Sequence, residues 1–309
     1  CWTRAIEKDI DECIETGADI INVSLPVSDI LLESMGKGRF WVMKRLEALA
    51  EKKYFEHNLI SIGLQDASRA DLDFLIEMAN AVHDYGGFRI RFADTVGILN
   101  PIRTAKMIQS LRNASKIESI EFHGHNDLGM AVGNSVTAAA AGADYISTTV
   151  NGLGERAGNC PTEEIYFALK HSMNLSLGND LAIVNSLCKY VASAAKREIP
   201  VDKPVTGKMV YSHESGIHVD CLKKDLNTYQ LISPESSGRN EVEFVMGKHS
   251  GAAAVNDFFL RRGIELNLSE VSHLLTTIKE RACYHSRSLS PNEVIDCYRK
   301  MRPTTLARD

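Results

Sequence analysis

The chain has 309 residues, of which 44% are hydrophobic and 24% are charged, a composition typical of a globular protein with a large apolar core. Its formal net charge of −5 argues against a partner with a polyanionic surface, such as nucleic acid or an anionic membrane. We find no apolar run long enough to span a bilayer, no secretory signal and seven scattered cysteines, so we expect a cytoplasmic protein with free thiols.

Short apolar runs alternate with amphipathic helical patterns along the first part of the chain. The runs predict five strands, at 19–25, 59–64, 88–92, 117–123 and 143–150. The helical patterns predict helices near 3–16, 41–55, 71–85, 102–115, 128–141 and 161–173. Strands that alternate with helices in this way form right-handed βαβ units around a parallel sheet.

Two architectures contain such a sheet, the doubly wound open sheet and the closed barrel. No Gly-x-Gly-x-x-Gly motif follows a predicted strand, which disfavours a dinucleotide-binding open sheet. Polar residues follow the strands directly, and in a TIM barrel that end of the strands forms the active-site face. We therefore predict an α/β fold, a TIM (β/α)8-type barrel that is N-terminally incomplete with about five strands.

The alternation stops after a helix predicted near 181–197. The following segment, 198–215, is rich in Pro, Gly and Lys and is predicted to be irregular, and two or three short helices complete the chain. We predict three parts: a partial TIM-barrel catalytic domain over 1–175, a helix, linker and first C-terminal subdomain over 176–250, and a helical C-terminal subdomain over 251–309.

The strongest candidate site is the segment 121–127, which contains two histidines at the end of a predicted strand. Alternate residues of a strand project to one face, so His123, His125 and Glu121 should lie together. Two imidazoles at this spacing can reach one cation. The alternative is a pair of hydrogen-bonded histidines, but their position at a barrel's active end favours a metal site.

A glycine-rich loop at 151–159 is the second candidate, because its glycines would let a ligand approach the backbone closely. Arg156 could pair with a carboxylate, and Asn159 could offer its carbonyl oxygen to a metal. The alternative is an ordinary βα turn in which Asn159 caps the helix that Pro161 begins.

Two weaker candidates follow other predicted strands or lie beyond them. Thr95 could face a substrate carboxylate, although Asp94 and Thr95 could equally be turn or helix caps. His218 could act as a general acid or base, or be a loop histidine at a domain junction.

Six segments, in this order, resemble the metal-dependent aldolase-type TIM-barrel family of isopropylmalate, homocitrate and citramalate synthases, and most of all its nitrogen-fixation-type homocitrate synthases. They cover nearly the whole chain and are 24–29 (SLPVSD), 66–69 (DASR), 91–97 (RFADTVG), 149–159 (TVNGLGERAGN), 213–220 (HESGIHVD) and 247–251 (GKHSG). The resemblance implies an acyltransferase that joins acetyl-CoA to 2-oxoglutarate and hydrolyses the thioester, giving homocitrate and CoA. It also implies that His123, His125 and Asn159 hold a divalent metal, Mg²⁺, Mn²⁺ or Zn²⁺.

Further roles follow from the same resemblance. Glu121 would be catalytic and, with Thr95, would border the 2-oxoacid, while Glu155 and Arg156 would help to bind substrate. His218 would take part in proton transfer at the neighbouring subunit's site in a domain-swapped homodimer. No nucleic acid or membrane partner is implied.

Several rival functions stay open. Two of them are enzymes of this kind: a Re-type citrate synthase, which uses oxaloacetate, and an isopropylmalate or citramalate synthase. The third is a non-catalytic partner subunit, or a fragment that keeps the fold and binds metal without turnover. The family's first strand, with an Asp-Arg-Glu signature that supplies a metal ligand, is absent from the predicted strands. Gln65 stands where the family usually has Glu, and an amide cannot act as a base. Either that Glu is dispensable, or Asp66 compensates, or activity is reduced.

The absent first strand leads to a prediction. We expect this chain alone to bind a divalent cation weakly and to release little CoA, and expect an N-terminal segment supplied in trans, or a partner chain that carries it, to restore activity. CoA release from acetyl-CoA with 2-oxoglutarate and with oxaloacetate, measured with and without that segment, tests this. Full activity of the chain alone would contradict it.

Overall fold

The computed structural model describes residues 1–57, 59–178, 182–240 and 242–302, and it divides the chain into two units, Cys1–Leu177 and Gly178–Asp309. The first unit contains one six-stranded parallel sheet in which the strands lie in sequence order. Its strands are β1 (Trp2–Arg4), β2 (Ile20–Pro26), β3 (Leu59–Gln65), β4 (Arg89–Asp94), β5 (Ile120–Gly124) and β6 (Tyr145–Ser147). Its helices are α1 (Glu7–Glu15), α2 (Asp29–Ser34), α3 (Arg39–Glu51), α4 (Tyr54–His57), α5 (Leu72–Asp84), α6 (Pro101–Ala114), α7 (Ala131–Ala140) and α8 (Thr162–Ser172).

The predicted alternation of strands and helices is confirmed, with one strand more than the sequence pattern indicated. Trp2–Arg4 pairs in parallel with β2, and Thr3 lies opposite Val23. The helix predicted for 3–16 therefore begins only at Glu7. A three-residue strand without an apolar run carries no recognisable alternation, which is why it was missed.

Polar side chains at the N-termini fix where several helices begin. The Asp71 carboxylate accepts a hydrogen bond from the Phe74 amide at 3.0 Å and so caps α5. The Asn100 side chain accepts from the Arg103 amide at 2.9 Å. Pro101 occupies the first turn of α6, where a backbone N–H would have no partner within the helix, so its missing N–H costs nothing.

The two faces of the sheet differ in chemistry. One face is apolar, packs into the main core of the unit and carries Ile21, Val23, Leu25, Ile60, Ile62, Leu64, Ile90, Phe92, Ile120 and Phe122. The opposite face, called here the polar face, carries Asn22, Ser24, Ser61, Gly63, Gln65, Arg89, Arg91, Glu121, His123 and Ser147, which the parallel register brings into rows. Parallel sheets normally bury apolar side chains on both faces. The polar face is therefore built for something other than packing against a helix.

The second unit is mostly helical. Its helices are α9 (Val184–Ala195), α10 (Gly216–Lys224), α11 (Ala252–Leu260), α12 (Leu268–His285) and α13 (Pro291–Met301), and two short strands, β7 (Ser212–His213) and β8 (Glu243–Phe244), pair in parallel. The helices α11 to α13 enclose an apolar cluster that includes Phe259, Leu274 and Ile278. Capping boxes at Asn267 and Ser290 fix the starts of α12 and α13. The predicted helical C-terminal region is confirmed.

The apolar face supports a stability prediction. Phe92 is fully buried and its ring lies 6.0 Å from that of Phe122, so Phe92→Ala would leave a large cavity. We expect it to lower the free energy of unfolding by about 3–5 kcal/mol in urea denaturation. The control is Phe40→Ala, which removes a ring that is 75% exposed and should change stability by no more than about 0.5 kcal/mol. Equal losses would show that the apolar face does not stabilise the unit.

Candidate metal and 2-oxoacid site

The two histidines of the strongest candidate segment lie together at the C-terminal end of β5. His123 belongs to the strand and His125 follows it, and their ring centroids are 4.7 Å apart with an edge-to-face angle of 79°. His125 forms an antiparallel bridge with Asn159, so the glycine-rich loop lies directly against the pair. The strand thus brings the first two candidate segments into one place.

Both rings are held through the same nitrogen. His125 Nδ1 lies 3.1 Å from the carbonyl oxygen of Asp94, and because a carbonyl only accepts, this nitrogen carries the proton. His123 Nδ1 lies 3.1 Å from Ser147 Oγ, a hydroxyl that can donate to this nitrogen or accept from it. Neither contact uses Nε2, and metal-binding histidines typically have their other ring nitrogen held in this way.

His123 is held in its neutral form. Burial, together with the positive charge of Arg91 and the neighbouring His125, lowers its pKa to about 3. A neutral imidazole is the form that binds a metal, so at neutral pH no proton has to leave His123 before it could do so.

Asn159 supplies an oxygen beside the pair. Its Nδ2 donates to the carbonyl of Leu153 at 3.0 Å, while its Oδ1 is buried and has no hydrogen-bond partner among the described residues. Helix α8 begins at Thr162 with Pro161 as its N-cap, so the alternative that Asn159 caps this helix is wrong. A buried amide oxygen without a partner is costly unless a ligand satisfies it.

Gly154 makes the position of Asn159 possible. A Cβ atom at residue 154 would lie 2.2 Å from Asn159 Nδ2, far inside contact distance. The loop therefore needs glycine there for close approach rather than for chain flexibility.

The donor set is two imidazole nitrogens and one amide oxygen. Mixed nitrogen and oxygen donors suit several divalent cations, including Zn²⁺ and Mn²⁺. Within the described ranges, no three His, Cys, Asp or Glu side chains converge on one point. The unpartnered Oδ1 of Asn159, beside the imidazoles of His123 and His125, is consistent with a bound metal. This third donor is a neutral amide oxygen rather than a charged group.

Arg156 is engaged by protein carboxylates. Its Nε donates to Asp127 at 2.8 Å and its Nη1 to Glu155 at 2.6 Å, and the neighbouring guanidinium lowers the pKa of Asp127. Its Nη2 donates to the carbonyl of Thr95 at 2.6 Å. Glu155 Oε1 also lies 3.8 Å from His125 Nε2. Arg156 thus joins three loops at the end of the sheet, and its contacts here are structural.

The structure distinguishes the two residues that follow β4. The Asp94 carboxylate accepts from the amides of Ile98 and Leu99, each at 3.1 Å, so Asp94 caps its own loop. The hydroxyl of Thr95 accepts from the amide of Asp66 at 2.8 Å, which ties this loop to the end of β3. The capping alternative is therefore the one that applies to Asp94.

Asp66 is held by its neighbours. It is fully buried, Ser28 Oγ donates to it, and Arg69 Nη2 lies 2.8 Å from its Oδ2. Its φ of 64° is one that Asp tolerates better than most residues. Gln65 lies exposed at the end of β3, while the contacts of Asp66 are those of a structural residue.

Glu121 lies one row beneath His123 on the polar face and is paired twice. Its Oε2 is 3.0 Å from Arg89 Nη2 and its Oε1 is 3.0 Å from Arg91 Nε. Both carboxylate oxygens of Glu121 are engaged by cations. The geometry therefore suits a residue that positions two arginines better than one that accepts a proton. The two arginines had not been assigned a role from the sequence, although Arg89 and Arg91 alternate in an otherwise apolar strand.

His218 belongs to the second unit. It lies in α10, and its ring stacks on Tyr229 with centroids 4.0 Å apart. Nearby, His213 Nε2 lies 3.0 Å from Gln230 Oε1. His218 is partly buried in a helix rather than in a loop, so the alternative of a loop histidine is wrong.

Comparison with known proteins identifies the family of this chain. Residues 1–191 match the HMGL-like family, and residues 205–286 match the homocitrate synthase post-HMGL domain-like family. The chain belongs to the HMGL-like family. A solved hydroxymethylglutaryl-CoA lyase from Pseudomonas aeruginosa superimposes with a TM-score of 0.56 at 16% identity, over 64% of this chain and 70% of that one. This likeness confirms the predicted barrel-type fold.

Named relatives agree on the general chemistry and differ in substrate. The chain is 40% identical to 2-isopropylmalate synthase 2 of Caldanaerobacter subterraneus subsp. tengcongensis, over 96% of this chain and 77% of that protein. It is 34% identical to homocitrate synthase 1 of a Nostoc species, over 99% and 81% respectively. The prediction of an acyltransferase is confirmed at the level of this family. In the part of the chain that the structure describes, no helix has the length and apolar character needed to cross a membrane.

The buried pair at the end of β3 yields a test of the role of Asp66. We expect Asp66→Asn to lower the free energy of unfolding by about 2 kcal/mol, because it removes the charge that Arg69 faces while Arg69 itself is 30% exposed. The control is Asp29→Asn, which removes an exposed carboxylate paired with Arg39 and should cost less. Lost CoA release with unchanged stability would instead mark Asp66 as a base.

Proposed function

We propose that this chain contributes the metal site of a homocitrate synthase, an enzyme that catalyses a Claisen-type condensation of acetyl-CoA with 2-oxoglutarate, followed by thioester hydrolysis, to give homocitrate and CoA. The observation that carries the proposal is the pair of imidazoles whose Nδ1 atoms are engaged, beside the unpartnered Oδ1 of Asn159. In this proposal His123, His125 and Asn159 hold a divalent cation. Such a cation, when bound, polarises the carbonyl of a 2-oxoacid.

The chain's own residues would orient the reactants. Ser147 and the carbonyl of Asp94 fix the two imidazoles, so the ligands need no rearrangement. Arg156 holds the loops beside them, and Glu155 borders the open side of His125. These contacts would set the direction from which a 2-oxoacid enters.

Proton transfer needs a separate group. We assign it to His218 acting at the neighbouring subunit's site in a domain-swapped homodimer, and the stacking of His218 on Tyr229 holds its imidazole in one orientation. The acetyl methyl group must lose a proton before its carbon attacks, and a positioned histidine is a common acceptor for such a proton. Glu121 would serve the 2-oxoacid end of the reaction by holding Arg89 and Arg91 in place.

One rival is favoured by a specific observation. The relative that is 40% identical is named a 2-isopropylmalate synthase, and the isopropyl group in that name points to a branched 2-oxoacid. Release of CoA should therefore be compared with 2-oxoglutarate, oxaloacetate and 3-methyl-2-oxobutanoate. The fastest release with the branched acid would overturn the homocitrate assignment while keeping the condensation.

Gly154 offers a test of the metal site that spares its ligands. We expect Gly154→Ala to push Asn159 out of place and to weaken Mn²⁺ binding about tenfold or more. Free Mn²⁺ can be measured by its paramagnetic resonance signal, without turnover. Gly38→Ala is the matched control, because a Cβ there meets open space. Unchanged binding in Gly154→Ala, or CoA release unchanged by His123→Ala, contradicts the proposed ligands.

A further inference from the structure

A buried cluster of opposite charges lies on the polar face beneath the histidine pair. It consists of Arg89, Arg91 and Glu121 and is called here the arginine cluster. Arg89 is 9% exposed, and the side chains of Arg91 and Glu121 are 19% and 12% exposed. Burying three ionised groups is expensive unless they are paired, so a structural pair would be expected to balance its charges.

The cluster does not balance. Two guanidinium groups share one carboxylate, and Glu121 is the only carboxylate that β1 to β6 place on the polar face. Two cations to one carboxylate leave one positive charge over. Arg89 Nε also donates to Ser61 Oγ at 3.3 Å, and Arg91 Nη2 donates to Ser147 Oγ at 3.0 Å. The Arg89 guanidinium lies 4.7 Å from the centre of the Tyr145 ring, whereas no aromatic ring lies over Arg91 among the described residues. A buried excess of positive charge is suited to an anionic group of a ligand.

The register places small residues beside this charge. Arg91 lies opposite Gly63 of β3, which in turn lies opposite Ser24 of β2. The row therefore has two small residues next to the guanidinium. The space in front of Gly63 is taken by the side chain of Asn22, whose Nδ2 would lie 2.9 Å from a Cβ atom at residue 63. Position 63 therefore adds no side chain of its own beside Arg91.

The cluster also lies at a suitable depth. Glu121 and its row partner Arg91 are two residues before the row of His123 and Ser147, which is about 6–7 Å along a strand. Consider a ligand whose 2-oxo group is held at the histidine pair. If a short methylene chain joins that group to a second carboxylate, the second carboxylate would lie near Arg91. The two methylene groups of 2-oxoglutarate fit this spacing better than the single one of oxaloacetate.

We propose that the arginine cluster binds the second carboxylate of a 2-oxodicarboxylate and so determines which 2-oxoacid this chain accepts. Arg91 is the residue that contacts the ligand, and Glu121 positions Arg91 and Arg89. The inference rests on the proposed function for the location of the 2-oxo group. It assigns selectivity to β4, outside the histidine pair and the glycine-rich loop.

The test compares two ligands that differ at one end. The full chain is titrated calorimetrically, in the presence of Mn²⁺ and without acetyl-CoA, with 2-oxoglutarate and with 2-oxopentanoate, in which a methyl group replaces the second carboxylate. Wild type should prefer 2-oxoglutarate. In Arg91→Gln the affinity for 2-oxoglutarate should fall about 10- to 100-fold, while that for 2-oxopentanoate changes less than about 3-fold.

Two further variants separate recognition from folding. Arg91→Lys keeps the charge but loses the forked donors, so it should recover part of the preference for 2-oxoglutarate. Arg112→Gln is the control, because Arg112 is an arginine of α6 that pairs with Asp144 and should leave both affinities unchanged. Retained binding of 2-oxopentanoate by Arg91→Gln shows that this variant is folded.

The outcomes distinguish this inference from the proposed function. Three results would overturn the arginine cluster as the determinant of 2-oxoacid selectivity. They are equal affinity of wild type for the two acids, no binding of either acid, and an equal fall in both affinities in Arg91→Gln. CoA release with 2-oxoglutarate would then still support the condensation. Conversely, Arg91-dependent binding of 2-oxoglutarate without any CoA release, even when the N-terminal segment is supplied in trans, overturns the proposed reaction and leaves the binding site standing.

Discussion

The parallel pairing of β4 with β5 is the constraint on which the rest of the site depends. It places Arg91 opposite Glu121 and Ala93 opposite His123, so a charge cluster and a metal-ligand candidate become neighbours in adjacent rows. A slip of one residue would turn Phe92 and Phe122 onto the polar face and the charged groups into the apolar core. The register is therefore enforced by burial on one side, and the chemistry of the other side follows from it.

Much of this arrangement can be predicted from the sequence, for physical reasons that are easy to name. The runs that became β2 to β5 are apolar and bounded by turn residues, and the helices between them have clear periodicity and caps. His123 and His125 stand at a strand end with i, i+2 spacing, so their common face follows from the geometry of any strand. The short strand Trp2–Arg4 gives no such signal, because its place in the sheet depends on pairing with β2.

The parts that sequence reasoning missed are those set by contacts between distant segments. Asn159 could be a cap or a ligand until the start of α8 at Thr162 excluded the cap. The family resemblance made Glu121 a catalytic residue that borders the 2-oxoacid, and only its neighbours on β4 show that it pairs with two arginines. Asp66 looked available as a base, yet Ser28 and Arg69 enclose it.

Ser147 connects the two ends of the polar face. Its hydroxyl accepts from Arg91 Nη2 at 3.0 Å and lies 3.1 Å from His123 Nδ1, so a single oxygen restrains both side chains. Any displacement of the guanidinium towards a ligand must stretch or redirect its bond to that oxygen, and the imidazole then experiences the change. Occupancy at one end would thereby alter the affinity at the other, and thermodynamic linkage requires the effect to be reciprocal. Both restraints come from the last residue of β6, a strand of three residues.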